Sequence, residues 1–280
     1  SLNPKEDRPC MVAHLWIDED GALKRHRFER AMMRSAARLT YEQVQAARDG
    51  RPDDTTETLV DGVIAPLYGA YEALARNRQA RGVLELDLPE RKVLLDDGGK
   101  VADIVQRERF DSHKLIEEFM ILANVAAAET LEQKGLPCMY RIHDQPSPAK
   151  VEALTEALTT IGLKLAKGQV MQSKNFNQIL AKAKDGPFER MVQELVLRSQ
   201  AQAEYSPDNI GHFGLALRRY CHFTSPIRRY SDLLVHRALI RAGKLGDGGL
   251  EPDHKDFSEM GQHLSFTERR AAAAERASVD

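Results

Sequence analysis

A chain of 280 residues, 42% hydrophobic and 29% charged, has enough apolar material for one large core or two small ones and the composition of a soluble cytosolic globule. Its net charge of −2 argues against a protein that coats nucleic acid through a broad cationic surface. No apolar run approaches the roughly 18 residues of a membrane-spanning helix, and SLNPKEDRPC at the start is neither a signal nor a transit peptide. Cys10, Cys138 and Cys221 are scattered, form no CxxC pair and read as reduced thiols in a cytoplasmic protein.

In chain order, Met11–Asp18 reads as a strand, Asp18–Gly21 as a tight turn and Leu23–Met33 as the antiparallel partner. Thr40 caps a helix over Tyr41–Arg48, with Gln43 completing a capping box. A helix over Thr56–Arg78 is expected to break softly at Pro66. Gly82–Leu86, Lys92–Leu95 and Val101–Gln106 read as a short meander, with Asp96–Gly99 as a hairpin loop. The longest helix is predicted over Asp111–Gln133, followed by a strand over Met139–His143. Ser147 and Pro148 open another helix as N-cap and N1. Further helices are expected over Ser173–Lys184, Pro187–Gln200, from Pro226 onward, and from Asp256 to the end, with an extended stretch over Gly211–Phe223. The fold class is α+β, helix-rich with antiparallel strands. Both ends read as cut from a longer protein, since the last helix carries no stop signal.

Chemistry concentrates in Tyr220–Arg237, YCHFTSPIRRYSDLLVHR. From Tyr205 to Lys244 there are seven Lys/Arg against two Asp/Glu, joined by His212, His222 and His236. Such a local patch on a near-neutral protein suits a confined anion site. Ser225 is the expected N-cap and Pro226 the N1 residue, placing Arg228 and Arg229 in the first turn. Cations are unfavourable there, so their presence points to an anion at the helix start. Arg228, Asp232 and His236 would then form one polar stripe, and the competing reading is a salt-bridged surface helix. His113, Glu117 and Asn124 share a second stripe on the long helix; spacing alone favours the solvated side of an amphipathic helix over a groove-facing seam. The acidic groups Asp18-Glu19-Asp20, Asp53-Asp54 and Asp96-Asp97 invite a metal, but turn and cap chemistry accounts for each.

At His222–Leu239 the sequence closely resembles the ribonuclease II and ribonuclease R (RNB) family of 3′-to-5′ exoribonucleases. Ser1–Val12, Ala37–Val44, Arg81–Glu90, His113–Asn124, Tyr140–Leu154 and Gly211–Leu217 resemble family segments in the family's order, nearer to ribonuclease R. The resemblance implies a processive, Mg²⁺-dependent hydrolase of single-stranded RNA that releases nucleoside 5′-monophosphates, with a monomeric, cytoplasmic parent and no membrane partner. It implies that Arg228 contacts phosphates near the scissile bond and Tyr41 lies beside the 3′-terminal nucleotides. Glu117 and Glu275 would hold the terminal nucleotide. An aromatic clamp position falls at Leu86, beside Glu85, where an aliphatic side chain gives up part of the stacking energy. Arg229, His222 and His236 are the remaining RNA-binding candidates. The family's aspartate cluster and its cold-shock-like and S1 domains have no match here, so residues 1–280 read as the C-terminal two-thirds of one RNB catalytic domain without its metal ligands. The alternative is a catalytically inactive RNA-binding module of the same fold.

Overall fold

The computed structural model describes residues 3–87, 91–96, 98–106, 108–165, 171–251 and 256–279. β1 (Asp7–Ile17) and β2 (Leu23–Arg34) pair antiparallel along their whole length. Met11, Ala13 and Leu15 alternate onto one face and pack with Phe28 against the main core, as a period of two requires. The connecting turn is an Asp18 device: its Oδ1 accepts the N–H groups of Asp20 (3.1 Å) and Ala22 (2.8 Å). Gly21 there has φ +74°, and a Cβ would run into the Ala73 carbonyl. Among the described residues β1 and β2 form a sheet of two strands, and Met32 stands exposed on it.

α1 (Tyr41–Arg48) starts as the sequence dictates: Gln43 N–H donates to Thr40 Oγ1 at 3.2 Å and Thr40 N–H to Gln43 Oε1 at 2.9 Å. The predicted helix over Thr56–Arg78 is built in three pieces. A 3₁₀ turn (Glu57–Leu59) and a π turn (Val60–Ile64) precede α2 (Ala65–Arg81). Pro66 falls in the first turn of α2, where its missing N–H costs nothing, and the chain widens just ahead of it. Gly82–Leu86 is not a strand. Its backbone is satisfied by Asn177 and a loop: Glu85 N–H donates to Asn177 Oδ1 (2.9 Å), Asn177 Nδ2 to the Val83 carbonyl (2.7 Å) and Leu84 N–H to the Gly214 carbonyl (2.9 Å). β3 (Arg91–Leu95) and β4 (Val101–Gln106) form the hairpin, turned by Asp96; Asp97 lies outside the described residues.

α3 (Asp111–Gln133) is the axis of the fold. Ala126, Ala127 and Ala128 are all fully buried, and three consecutive positions span about 200° of a helix at 3.6 residues per turn. The helix is therefore covered on several sides. Against it lie β1, α7 (Tyr230–Gly243) and the strand pair β5 (Tyr140–Ile142)/β6 (Glu204–Ser206). α8 (Phe257–Val279) crosses β6 so closely that a Cβ at Gly261 would sit 2.6 Å from the Tyr205 carbonyl oxygen. A separate apolar cluster joins α4 (Pro148–Thr160), α5 (Ser173–Ala183) and α6 (Glu189–Ser199). The Gly211–Phe223 stretch is only partly extended: it turns at Phe213–Ala216 and touches its neighbours through isolated bridges. The architecture is helix-rich α+β with short antiparallel pairs, and among the described residues no helix is long and apolar enough to cross a membrane.

Candidate functional site

The arginine pair does not sit inside a helix. Pro226–Arg228 form a turn closed by the Arg228 and Arg229 N–H groups on the Ser225 carbonyl (3.3 and 3.0 Å). Arg229 is extended (φ −123°, ψ 119°), and α7 begins at Tyr230, four residues later than Pro226. Asp232 explains the displacement. It is fully buried, and its carboxylate accepts Ser225 N–H (2.7 Å), Arg229 Nε and Nη2 (2.9 and 2.8 Å) and Ser231 Oγ (3.0 Å). Those bonds pull the chain off the helical path at Arg229 and satisfy a charge that burial would otherwise penalise heavily. The expected stripe of Arg228, Asp232 and His236 therefore dissolves: Asp232 is inside, and Arg228 is exposed. His236 stacks on Phe223 (4.5 Å, 20°) and bonds its carbonyl at 2.8 Å.

A groove of about 250 Å³ opens between α3, the start of α1 and the segment ahead of α7. His113, Glu117, Met120, Ile121 and Asn124 line it from α3, so the stripe that spacing assigned to solvent faces a cavity instead. The reason is tertiary: Tyr220, His222 and Arg229 come over the top of that face. Tyr41 closes one end with its ring stacked on His113 (4.0 Å, 18°), and His113 in turn stacks on Phe110 (5.6 Å, 25°). Ser112 Oγ donates to the Tyr41 carbonyl at 2.9 Å and fixes the root of that ring. An apolar cleft of about 360 Å³ shares Tyr41 and Ile116 with the groove.

The opposite end is a polar lattice. Asn124, 2% exposed, donates through Nδ2 to Tyr220 Oη (2.9 Å) and accepts Phe223 N–H at Oδ1 (2.8 Å). Tyr205 Oη shares a hydrogen bond with His222 Nδ1 at 2.8 Å. Burial, aided by the positive charges of Arg229 and Arg141, pushes His222 down to about 2, so its ring is neutral at any working pH. Burial pushes the Tyr220 hydroxyl up to about 12. Tyr220 and His222 are therefore uncharged, and Arg229 brings a guanidinium to the same end. Arg229 is neutralised by Asp232, while Arg228 makes no side-chain hydrogen bond or ion pair among the described residues.

Glu117 stands on the groove wall and is held by Arg109 and, at 3.5 Å, by Arg78. Arg78 also grips Glu118 (2.7 Å) and Glu85 (2.9 Å); burial opposes its charge, but those carboxylates hold it above the usual guanidinium range. Neither Arg78 nor Arg109 was singled out by sequence, because nothing local marks a pairing partner some 40 or 8 residues away. Glu275 lies on the exposed end of α8 and Leu86 packs into the α4–α6 cluster; neither lines the groove. The seven-cation patch also disperses: Arg219 pairs with Glu129 and Glu132, and Arg237 and Arg241 bond the carbonyls of Gly249 and Leu250. Asp18, Asp53 and Asp96 are engaged as turn acceptors. Among the described residues no three His, Cys, Asp or Glu converge, Glu117 is ion-paired and Asp232 is saturated, so these residues do not fit a Mg²⁺ site.

The chain belongs to the RNB-domain family, whose model matches residues 1–244. Among relatives, ribonuclease R of Aquifex aeolicus (strain VF5) is 40% identical over 283 residues and ribonuclease R of Escherichia coli (strain K12) 39% identical over 291, each covering 100% of this chain. The chain spans 40% and 36% of those proteins' lengths. It superposes on the apo form of Mycoplasma genitalium RNase R with a TM-score of 0.90 at 26% identity, covering 99% of this chain and 44% of that one. Yeast Ssd1, a pseudonuclease, shares the fold at a TM-score of 0.71 and 19% identity, covering 95% of this chain and 32% of its own.

Proposed function

We propose that the groove is the 3′-end pocket of a processive 3′-to-5′ exoribonuclease that hydrolyses single-stranded RNA to nucleoside 5′-monophosphates. The observation that carries this reading is a stacked aromatic wall, Tyr41 on His113, in a groove whose His222 end feels the charge of Arg228, a guanidinium with no side-chain hydrogen bond or ion pair among the described residues. Bases are gripped by ring faces and phosphates by guanidinium groups, and the groove with Arg228 beside its His222 end offers both. In this reading Tyr41, 39% exposed, stacks under a terminal base, and Glu117 accepts from the ribose hydroxyls at the strand's end. Arg228 steadies the phosphate at the scissile bond. Arg229 fixes the turn that presents Arg228, and His222 contributes as a neutral hydrogen-bonding ring. The likeness to a Mycoplasma genitalium RNase R solved in complex with ribose-methylated single-stranded RNA, at a TM-score of 0.89 and 26% identity, supports RNA as the ligand.

Mg²⁺ belongs to this reading as the group that neutralises charge at the reacting phosphate, with its ligands on residues outside the 280 of this chain. Residues 1–280 then form the C-terminal two-thirds of one catalytic domain in a monomeric, cytoplasmic protein. Glu275 and Leu86 enter only through the family resemblance, as contacts to the terminal nucleotide and to the base stack. The alternative reading is a catalytically inactive RNA-binding module of the same fold. One experiment separates them: 5′- and 3′-labelled single-stranded RNA incubated with the intact protein and Mg²⁺. Stepwise release of the 3′ label as mononucleotide supports the exonuclease. Internal cleavage ladders overturn it, and binding without product selects the second reading.

A further inference from the structure

A second cavity, about 490 Å³, opens between the end of α2, the start of α5 and the loop through His212 and Arg218. Three cations line it, Arg81, Lys174 and Arg218, against one carboxylate, Asp144. Asp144 spends its Oδ1 on the Gln145 N–H at 2.7 Å. Lys174 and Arg218 are exposed, and among the described residues neither forms an ion pair.

Arg81 is the informative member. Its Nε and Nη2 are buried and have no hydrogen-bond partner among the described residues. Glu118 reaches it only as a distant charge, because that carboxylate is taken by Arg78 Nη1 at 2.7 Å. Buried donors without an acceptor are rare in folded proteins and expensive when charged, and among the described residues only the distant charge of Glu118 offsets this one. His212 adds a donor to the same wall. Its Nδ1 accepts the Leu215 N–H at 3.2 Å, which leaves the remaining ring proton on Nε2, and burial with the neighbouring His143 holds the ring neutral, down to about 3. The Ser173 hydroxyl, by contrast, is turned onto the Gly82 carbonyl. The lining thus offers donors and positive charge with almost nothing to balance them.

The cavity is joined to the groove through rings. His212 meets Tyr220 edge-on at 5.3 Å, and Tyr220 meets His222 edge-on at 5.7 Å; the latter two line the groove. We propose that Arg81, Lys174 and Arg218 form a second phosphate site, holding a backbone phosphodiester of the RNA strand whose 3′ end occupies the groove. This assignment rests on the RNA reading of the groove.

The test uses the intact protein and a Lys174→Glu/Arg218→Glu double variant, whose two positions are exposed, so the fold should be kept. Affinity is measured by anisotropy for single-stranded RNAs of about 12 and about 3 nucleotides, over a salt series. The double variant should bind the longer RNA roughly tenfold more weakly, with a log–log salt slope shallower by about 0.7 for each lost phosphate contact. The short RNA, confined to the groove, should bind as before. Arg81→Gln should reproduce the pattern. Equal weakening of both lengths, or no change in either, overturns the site. Thermal stabilisation by orthophosphate gives an independent readout, present in the wild type and lost in the double variant. If that difference appears while no RNA binds, the anion site stands, and the groove reading and the strand assignment fall together. If it does not appear, the anion site itself is overturned.

Discussion

The α3–α7 crossing and the α4–α6 lobe are both tightly closed, by opposite chemistries. The lobe buries Leu154, Leu158, Phe176, Ile179, Val192 and Val196, none more than 3% exposed, as a plain hydrocarbon core. The crossing also buries Ala127, Leu131, Leu234 and Val235, but threads Asn124, Ser231 and Asp232 through them. Polar groups in such a place cost free energy unless each is bonded, and here each is. Hydrocarbon contacts tolerate sliding, whereas bonds to a fixed amide and a fixed carboxylate set positions to tenths of an ångström. The crossing spends its polar groups on holding groove walls in register, whereas the lobe keeps Ser173, Asn177 and Gln193 at its margin, where they hold residues 82–87.

The largest effects should come from breaking either interior. Phe176→Ala should cost about 3–5 kcal/mol. By calorimetry that is a Tm loss of roughly 10 °C, while the molecules that remain folded bind short RNA, confined to the groove, unchanged; a parallel loss of that affinity would tie the lobe to the groove itself. Asp232→Ala should cost a similar ~3–5 kcal/mol, because Arg229 and the Ser225 N–H lose their acceptor. It should also abolish turnover at temperatures where the protein is still folded.

Arg228→Ala should lower turnover about 100-fold, or some 3 kcal/mol of transition-state stabilisation, with RNA affinity and stability nearly unchanged. Equal losses in affinity and turnover would remove Arg228 from the reacting phosphate. A smaller effect, about 1–3 kcal/mol in binding, is expected for Tyr41→Leu, with Tyr41→Phe close to wild type, read by anisotropy on short RNA.

Acid should separate the two regions most gently. His222 and His212 sit at about 2 and 3 in the folded chain, against roughly 6.5 unfolded. Between those values the unfolded chain binds more protons, so their contribution is complete above pH ~6.5 and is lost as pH falls toward 3. Residues 148–199 contain no histidine. Hydrogen exchange at pH 7 and pH 5 should therefore show protection falling in α3 and α7 before α4–α6.

What the sequence disclosed follows the range of the forces. Thr40 with Gln43, Ser147 with Pro148, and the apolar rhythm of Asp111–Gln133 act within a turn or two, and those elements formed where expected. Gly82–Leu86 looked like a strand because its composition is strand-like, but its backbone partners are Asn177 and Gly214, far away in sequence. Ser225 and Pro226 form a sound local helix start, and a buried carboxylate seven residues on overrode it. Within the groove, His113, Glu117 and Asn124 were identifiable as a stripe; that the stripe faced inward depended on Tyr220 and His222, which carry no periodic signal. The family resemblance supplied roles that spacing alone did not.

Arg228 and Arg229 are chemically identical neighbours, and any substitution table scores a change at one as it scores the other. In a survey of variants read both for cellular abundance and for activity, they should separate cleanly. Lesions at Arg229 would be lost from the abundance measurement, since Asp232 would be left alone in the interior. Lesions at Arg228 would accumulate to normal levels and fail only in the activity measurement. One peptide bond would then mark the boundary between variants a cell clears and variants it keeps.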